Sequence, residues 1–148
     1  MTAPTQTQTE SLKQIYREYI ELMWNQRRLD LAARYFSADT IDHTAPPGQG
    51  PGVDGLLETF RMIQAAFPDW HITCELEVAE GDMVVARINT SGTHSGEPFF
   101  GIPASGRSFR STGTHILRFK DGKMVEHWSN TDDLGLMIQL GVIQLPGS

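Results

Sequence analysis

The feature that most constrains this chain is a change of hydrophobic period at Pro68. Before that residue apolar side chains recur every three or four positions, and after it they alternate. Leu12, Ile15, Tyr16, Tyr19, Ile20, Met23 and Trp24 make one helical stripe that Asn25 ends, and Ser11 with Gln14 has the form of a capping box. A short second helix is expected over 30–36 with Asp30 as its cap. Residues 40–44 read as an extended piece carrying His43, followed by a proline- and glycine-rich stretch, 45–52, that no helix accommodates. Asp54 then caps a third helix with the stripe Leu56, Leu57, Phe60, Ile63 and Phe67. Beyond Pro68 the alternation predicts strands over 70–79, 83–94, 107–119 and 124–130, with tight hairpin turns at Glu80-Gly81 and Asp121-Gly122. A last helix, 133–140, is closed by Gly141.

Helices gathered ahead of a run of strands indicate an α+β fold with the helices on one face of a curved antiparallel sheet. The 148 residues suit one domain, read as 11–143, after a disordered lead-in over 1–10 and before a tail over 144–148. The formal charge is −6 and the 12 basic residues are scattered, so nucleic acid is excluded as a partner, because its recognition needs clustered cations. No apolar run is long enough for a bilayer, and the first nine residues lack the charged start and apolar core of a signal peptide. A cytoplasmic protein is expected, and the single cysteine, Cys74, fits a reducing compartment as a small packed hydrophobe.

Strict alternation assigns faces. Trp70, Ile72, Cys74, Leu76 and Val78 are expected to point inward, as are Val84 to His94 on even numbers and Phe109 to Phe119 on odd ones, which include His115. On the last strand Met124, Glu126, Trp128 and Asn130 share the inner face, continued by Asp132, while His127 falls on the outer side. Polar groups on an otherwise apolar face imply a cavity, since burying them unpaired is costly. A carboxylate there has its pKa raised by desolvation, and a neighbouring imidazole or indole N–H can stabilise developing negative charge. Plainer readings stand beside this one. Asp132 and Asp133 can serve only the first turn of the last helix. His94 can lie at the surface, His115 can be a bonded core histidine, and Trp24 and the Tyr16/Tyr19 pair can be core. The linking loop 95–106 carries Phe99, Phe100, Ile102 and Pro103 and is expected to cover a pocket mouth. No metal-ligand spacing, phosphate-cradling glycine motif or serine-nucleophile elbow occurs. Acid–base chemistry without metal or cofactor is the reading left.

Gly92-Thr-His-Ser-Gly96, Phe100-Gly-Ile-Pro-Ala-Ser-Gly-Arg107, Asp121-Gly-Lys-Met-Val-Glu-His-Trp128, and Asp132 followed by Leu134-Gly-Leu-Met-Ile-Gln-Leu-Gly141 together resemble the SnoaL-like polyketide cyclase family, the ester cyclases of the nuclear-transport-factor-two-like superfamily. The resemblance implies a cone-shaped, cystatin-like α+β barrel with a deep pocket for a hydrophobic small molecule, assembled as a homodimer or homotetramer. It also implies intramolecular aldol ring closure of an aromatic polyketide ester. Under it Asp132 matches the acid–base residue, with His43 and His115 as its catalytic partners. Trp24, Asn25, His94, Phe100, Ile102, Phe109, Trp128 and Asn130 are the candidate substrate contacts. Two alternatives remain open: another cofactor-free enzyme on the same scaffold (an epoxide hydrolase, isomerase or dehydratase), or a binding protein without catalysis. The epoxide hydrolase is weakened because Arg87, Arg110 and Arg118 fall on the outer face.

Overall fold

The computed structural model describes residues 5–147. Residues 1–4 of the expected disordered lead-in lie outside them. The first helix, α1 (Gln6–Tyr19), starts earlier than the stripe alone required, because Thr5 and Gln8 form the capping box in place of Ser11 and Gln14. It passes directly into one π turn, Ile20–Asn25. Ile20, Met23 and Trp24 continue the buried stripe of α1 through this turn. Asn25 ends the turn and clamps the backbone of Ile72, accepting from its N–H at 2.8 Å and donating to its carbonyl at 2.9 Å.

The second helical segment divides into a 3-10 turn (Leu29–Leu31) and a single α turn, α2 (Ala32–Tyr35). Asp30 does not cap it; its carboxylate is engaged by the Arg28 guanidinium. Strand β1 (Phe36–Asp42) begins at once, four residues ahead of the extended piece predicted. The proline–glycine loop leads to α3 (Gly52–Ala66), which starts at Gly52 without a side-chain cap, so Asp54 lies inside the first turn. Gly55 packs on the Gly50 carbonyl, where a Cβ would sit 1.7 Å from the oxygen.

Strands β2 (His71–Glu80), β3 (Met83–Thr93), β4 (Ser108–Lys120) and β5 (Lys123–Thr131) form antiparallel hairpins. The β4–β5 turn is Asp121-Gly122, both at positive φ, and the β2–β3 turn is Gly81-Asp82, one residue later than predicted. The sheet order is β1-β5-β4-β3-β2, with β1 added parallel to β5, so the sheet is mixed at that edge and not closed. The chain ends in α4 (Asp133–Gln139), followed by Gly141 at φ 79°. Among the described residues no helix is long and apolar enough to cross a membrane.

Alternation holds through β3 and β4: Val84, Ala86, Ile88 and Thr90 are buried, and so are Phe109, Ser111, His115, Leu117 and Phe119. It fails on both flanking strands, and for the same reason. A bulge between Cys74 and Leu76 shifts the β2 register by one residue, with the Cys74 thiol donating to the Leu76 carbonyl. Leu76 and Val78, expected inside, are therefore 55% and 57% exposed, while Glu77 turns inward to Arg17 on α1. A second bulge, where Arg118 pairs Glu126 but Phe119 pairs Met124, does the same to β5. Met124 stays inside, and beyond it the inner face passes to His127.

Candidate active site

The helices and the inner sheet face enclose a cavity of about 220 Å³. One wall is apolar, with Trp24 from the π turn, Leu56, Phe60 and Ile63 from α3, Trp70, and Phe109 from β4. The loop between β3 and β4 closes one side with Phe99 and Phe100. Phe99 pairs with Ile102 in a two-bond bridge, which puts Phe100 at φ 48° and leaves its ring half exposed at the rim. The opposite wall is polar: Asp42 at the end of β1 and Thr44 beyond it, Ser111 and His115 on β4, and His127, Ser129 and Thr131 on β5.

The centre of the polar wall is a pair the sequence reading did not select. On β1, Thr40 and Asp42 point inward and Ile41 outward. Across the parallel pairing Asp42 lies in register with His127, which the β5 bulge has turned inward. His127 Nδ1 is 3.1 Å from Asp42 Oδ1, with both side chains below one-tenth exposed. The same oxygen accepts from the Thr44 amide at 3.1 Å and its hydroxyl at 3.2 Å, and Oδ2 accepts from Gln49 Nε2 at 2.9 Å. Burial pushes the Asp42 carboxyl upward, but His127, Gln49 and the Thr44 amide outweigh it and hold it at about 2. An ionised carboxylate can only accept, so Nδ1 of His127 carries a proton, and in the neutral imidazole Nε2 is the nitrogen with the lone pair.

His115 lies beside this pair, its ring centroid 5.8 Å from that of His127. Burial, with repulsion from His127 adding to it whenever that ring is protonated, drives the His115 imidazole down to about 3, so it is neutral at pH 7. Its Nδ1 is 2.9 Å from the Tyr16 hydroxyl, whose own ionisation burial opposes. Tyr19 lines the cavity, accepts from Trp24 Nε1 at 2.9 Å and is likewise held protonated by burial. Among the described residues no group of three or more histidine, cysteine, aspartate or glutamate side chains is gathered closely enough to hold a metal ion.

The predicted site residues separate clearly. Trp24, Phe100, Phe109 and His115 line the cavity. Asn25 does not, being spent on the Ile72 backbone. His94 is fully buried behind the cavity wall, against Phe67 and with Nε2 3.0 Å from the Glu97 carbonyl, and so pins the base of the Phe99–Phe100 loop. Ile102 serves as the bridge partner of Phe99. Trp128 is displaced to the outer face by the bulge, where it stacks on His43 at 4.4 Å and 9°. His43 follows Asp42 on the opposite parity, with Nε2 3.6 Å from Glu126. Asn130 is exposed. Asp132 is exposed too. Its carboxylate caps α4 by accepting from the Gly135 amide at 3.0 Å, and it faces an outer-surface depression with His71 and Arg110. Its neighbour Asp133 lines the cavity rim and bonds the Thr131 hydroxyl.

One signal for Asp42 was legible: it shares parity with Thr40 and Thr44 in a short extended piece, opposite His43. No local signal marked His127, because the bulge that turns it inward is set by pairing with β4.

The SnoaL-like polyketide cyclase family profile matches residues 13–140. The aklanonic acid methyl ester cyclase of Streptomyces peucetius is 32% identical over 108 residues, 72% of this chain and 72% of the relative. The nogalonic acid methyl ester cyclase of Streptomyces nogalater is 28% identical over 108 residues, 72% of this chain and 77% of that one. In structure, TsrD from Streptomyces laurentii superposes with a TM-score of 0.82 at 29% identity, covering 90% of this chain and 97% of that one. A SnoaL-like polyketide cyclase from Agrobacterium tumefaciens shares the fold with a TM-score of 0.72 at 22% identity, covering 88% and 98%. On sequence and on fold together, the chain belongs to the SnoaL-like polyketide cyclase family.

Proposed function

We propose that this protein closes a ring in an aromatic polyketide ester, or a related enolisable ketone, by intramolecular aldol condensation, with its own side chains as acid and base. The observation that carries this reading is the buried Asp42–His127 pair opening onto an aromatic cavity. His127 Nε2, the second nitrogen of an imidazole whose Nδ1–H is held by an ionised carboxylate, removes the acidic C–H proton. The enolate carbon attacks the ketone within the same molecule, forming one C–C bond and an alkoxide. The Tyr16 hydroxyl lies 2.9 Å from His115 Nδ1, and the neutral His115 tautomer that accepts from it carries its proton on Nε2 and donates a hydrogen bond to that alkoxide. The proton on His127 then returns to the alkoxide oxygen, so the product is an isomer of the substrate. The aromatic wall holds the planar part of the substrate flat and keeps water out while the chain folds back.

Aklanonic acid methyl ester, which a relative at 32% identity takes by name, is the probe. The expected result is a product of unchanged mass with one ketone converted to a tertiary alcohol; failure of the wild-type protein to form such an isomer from this or a related aromatic ester overturns the reading. A second reading keeps Asp132 as the base. The family motif favours it, and so does the position of Asp132 between two cavity residues, Thr131 and Asp133. It requires the carboxylate to leave the Gly135 amide and swing inward. The proposal extends to assembly as a homodimer or homotetramer. Exposed Leu76 and Val78 on edge strand β2 support that, and a monomer mass by light scattering would refute it.

A further inference from the structure

We infer that Gln49 is a positioning residue of the acid–base pair, holding the Asp42 carboxylate in the orientation that keeps the proton of His127 on Nδ1. The inference rests on the cyclase reading for its consequence in catalysis, though its geometry does not.

Gln49 belongs to the proline–glycine loop, where its backbone N–H closes a turn onto the Pro46 carbonyl at 3.1 Å. Both ends of its side-chain amide are used. Nε2 donates to Asp42 Oδ2 at 2.9 Å, and Oε1 accepts from the Thr59 hydroxyl at 2.5 Å. Only the nitrogen end can donate to a carboxylate, so these partners fix which way the amide faces. Thr59 is on α3, a rigid element that also lines the cavity, so the chain Thr59–Gln49–Asp42 ties the carboxylate to the helix layer.

The two oxygens of Asp42 are held very differently. Oδ1 takes the His127 Nδ1–H, the Thr44 amide and the Thr44 hydroxyl, and Thr44 Oγ1 in turn accepts from the Ser129 amide of β5 at 2.8 Å. Among the described residues Oδ2 takes Gln49 alone. Removing that one donor leaves a buried anionic oxygen without a partner, and the low-cost remedy is rotation about Cβ–Cγ. Rotation carries Oδ1 away from His127. The imidazole then loses the acceptor that selected its tautomer, and its proton can move to Nε2, where it blocks the base. The titratable groups facing the pair are His115 from β4, Tyr19 from the end of α1 and Asp133 from α4. The part of α3 packed here offers Thr59 and Phe60, which do not titrate. Among the described residues no lysine or arginine lines the cavity to take over the role of Gln49.

The test is the nitrogen chemical shifts of His127 in the full-length protein, compared among wild type, Gln49→Leu and Thr59→Val, together with turnover of aklanonic acid methyl ester. In wild type His127 is expected as one tautomer with the proton on Nδ1. Gln49→Leu should convert part of the population to the Nε2–H tautomer and lower kcat about tenfold with KM within about twofold. Thr59→Val, which frees only the far end of the amide, should shift both in the same direction by less, and it carries the test if Gln49→Leu does not fold by circular dichroism. An unchanged tautomer in the folded variants overturns the role of Gln49 and leaves the cyclase reading standing. A changed tautomer together with full turnover on replacing His127 removes His127 as the base and with it the catalytic role of Gln49, whereas a wild-type protein that forms no isomer overturns the cyclase reading instead.

Discussion

Two aspartates 90 residues apart in the chain stand in opposite surroundings, one in the polar wall of the cavity and one outside it. Asp42 is nearly closed off from solvent, accepts from His127, Thr44 and Gln49, and keeps its charge because those donors together outweigh desolvation. Asp132 stands in solvent with one backbone amide as its partner and spends its carboxylate on starting α4. The residue type is the same. What differs is whether the surroundings let the group hold a second side chain in a fixed protonation state. A carboxylate ionised inside a cavity orients an imidazole, whereas one at a helix start mainly supplies a cap.

The sharpest way to break this comparison is to remove the imidazole that Asp42 orients. His127→Ala should lower kcat by about 10³-fold, and Asp42→Asn, which keeps the shape but not the charge, by about 10²-fold, both with the far-ultraviolet circular dichroism of wild type. Wild-type turnover in either variant would move the base elsewhere. The next effect is on stability against pH. His115 has its pKa lowered from 6.5 to about 3 in the folded state, so between those values the unfolded chain binds more protons. The stabilisation due to its neutrality is complete above pH 6.5 and lost as pH falls toward 3, at up to about 1.4 kcal/mol per pH unit. Thermal melts of wild type should steepen in that window, and His115→Gln should flatten them. The Asp42 contribution is lost lower still, between 3.8 and about 2, so the two can be separated by pH. The smallest effect is expected at the other aspartate. Asp132→Asn keeps a capping side chain and should leave kcat within about threefold and stability within about 1 kcal/mol of wild type. Abolished turnover in that variant, with the fold intact, would install Asp132 as the base and reduce Asp42 to a structural anchor.

Much of the scaffold was readable from residue order, because helix and strand periods are local. The α1 stripe, the stop at Pro68, the Asp121-Gly122 turn and the inward sets of β3 and β4 needed only spacing and propensity. The cavity was readable in part. Trp24, Phe100, Phe109 and His115 lie on segments whose period is unbroken or whose apolar content marked them. The errors cluster where a bulge intervenes. On β5 the alternation Met124, Glu126, Trp128 looked continuous, yet it pointed to the wrong one of two adjacent residues, and the histidine rather than the tryptophan faces the cavity. On β2 the same slip exposed Leu76 and Val78 and buried Glu77 against Arg17. His94, read as a substrate contact with a surface position as the alternative, is buried, and the structure spends it on loop anchoring.

By itself the amino-acid order determined the succession of helices and strands, the α+β class and the presence of polar groups on an apolar sheet face. Those follow from interactions between residues a few positions apart. Only the tertiary structure decided which polar groups meet. The side-chain period of a strand is two, so a single extra residue reverses every position beyond it, and whether one is inserted depends on how the neighbouring strand pairs. Asp42 and His127, 85 residues apart, come into register only once β1 has docked parallel to a bulged β5.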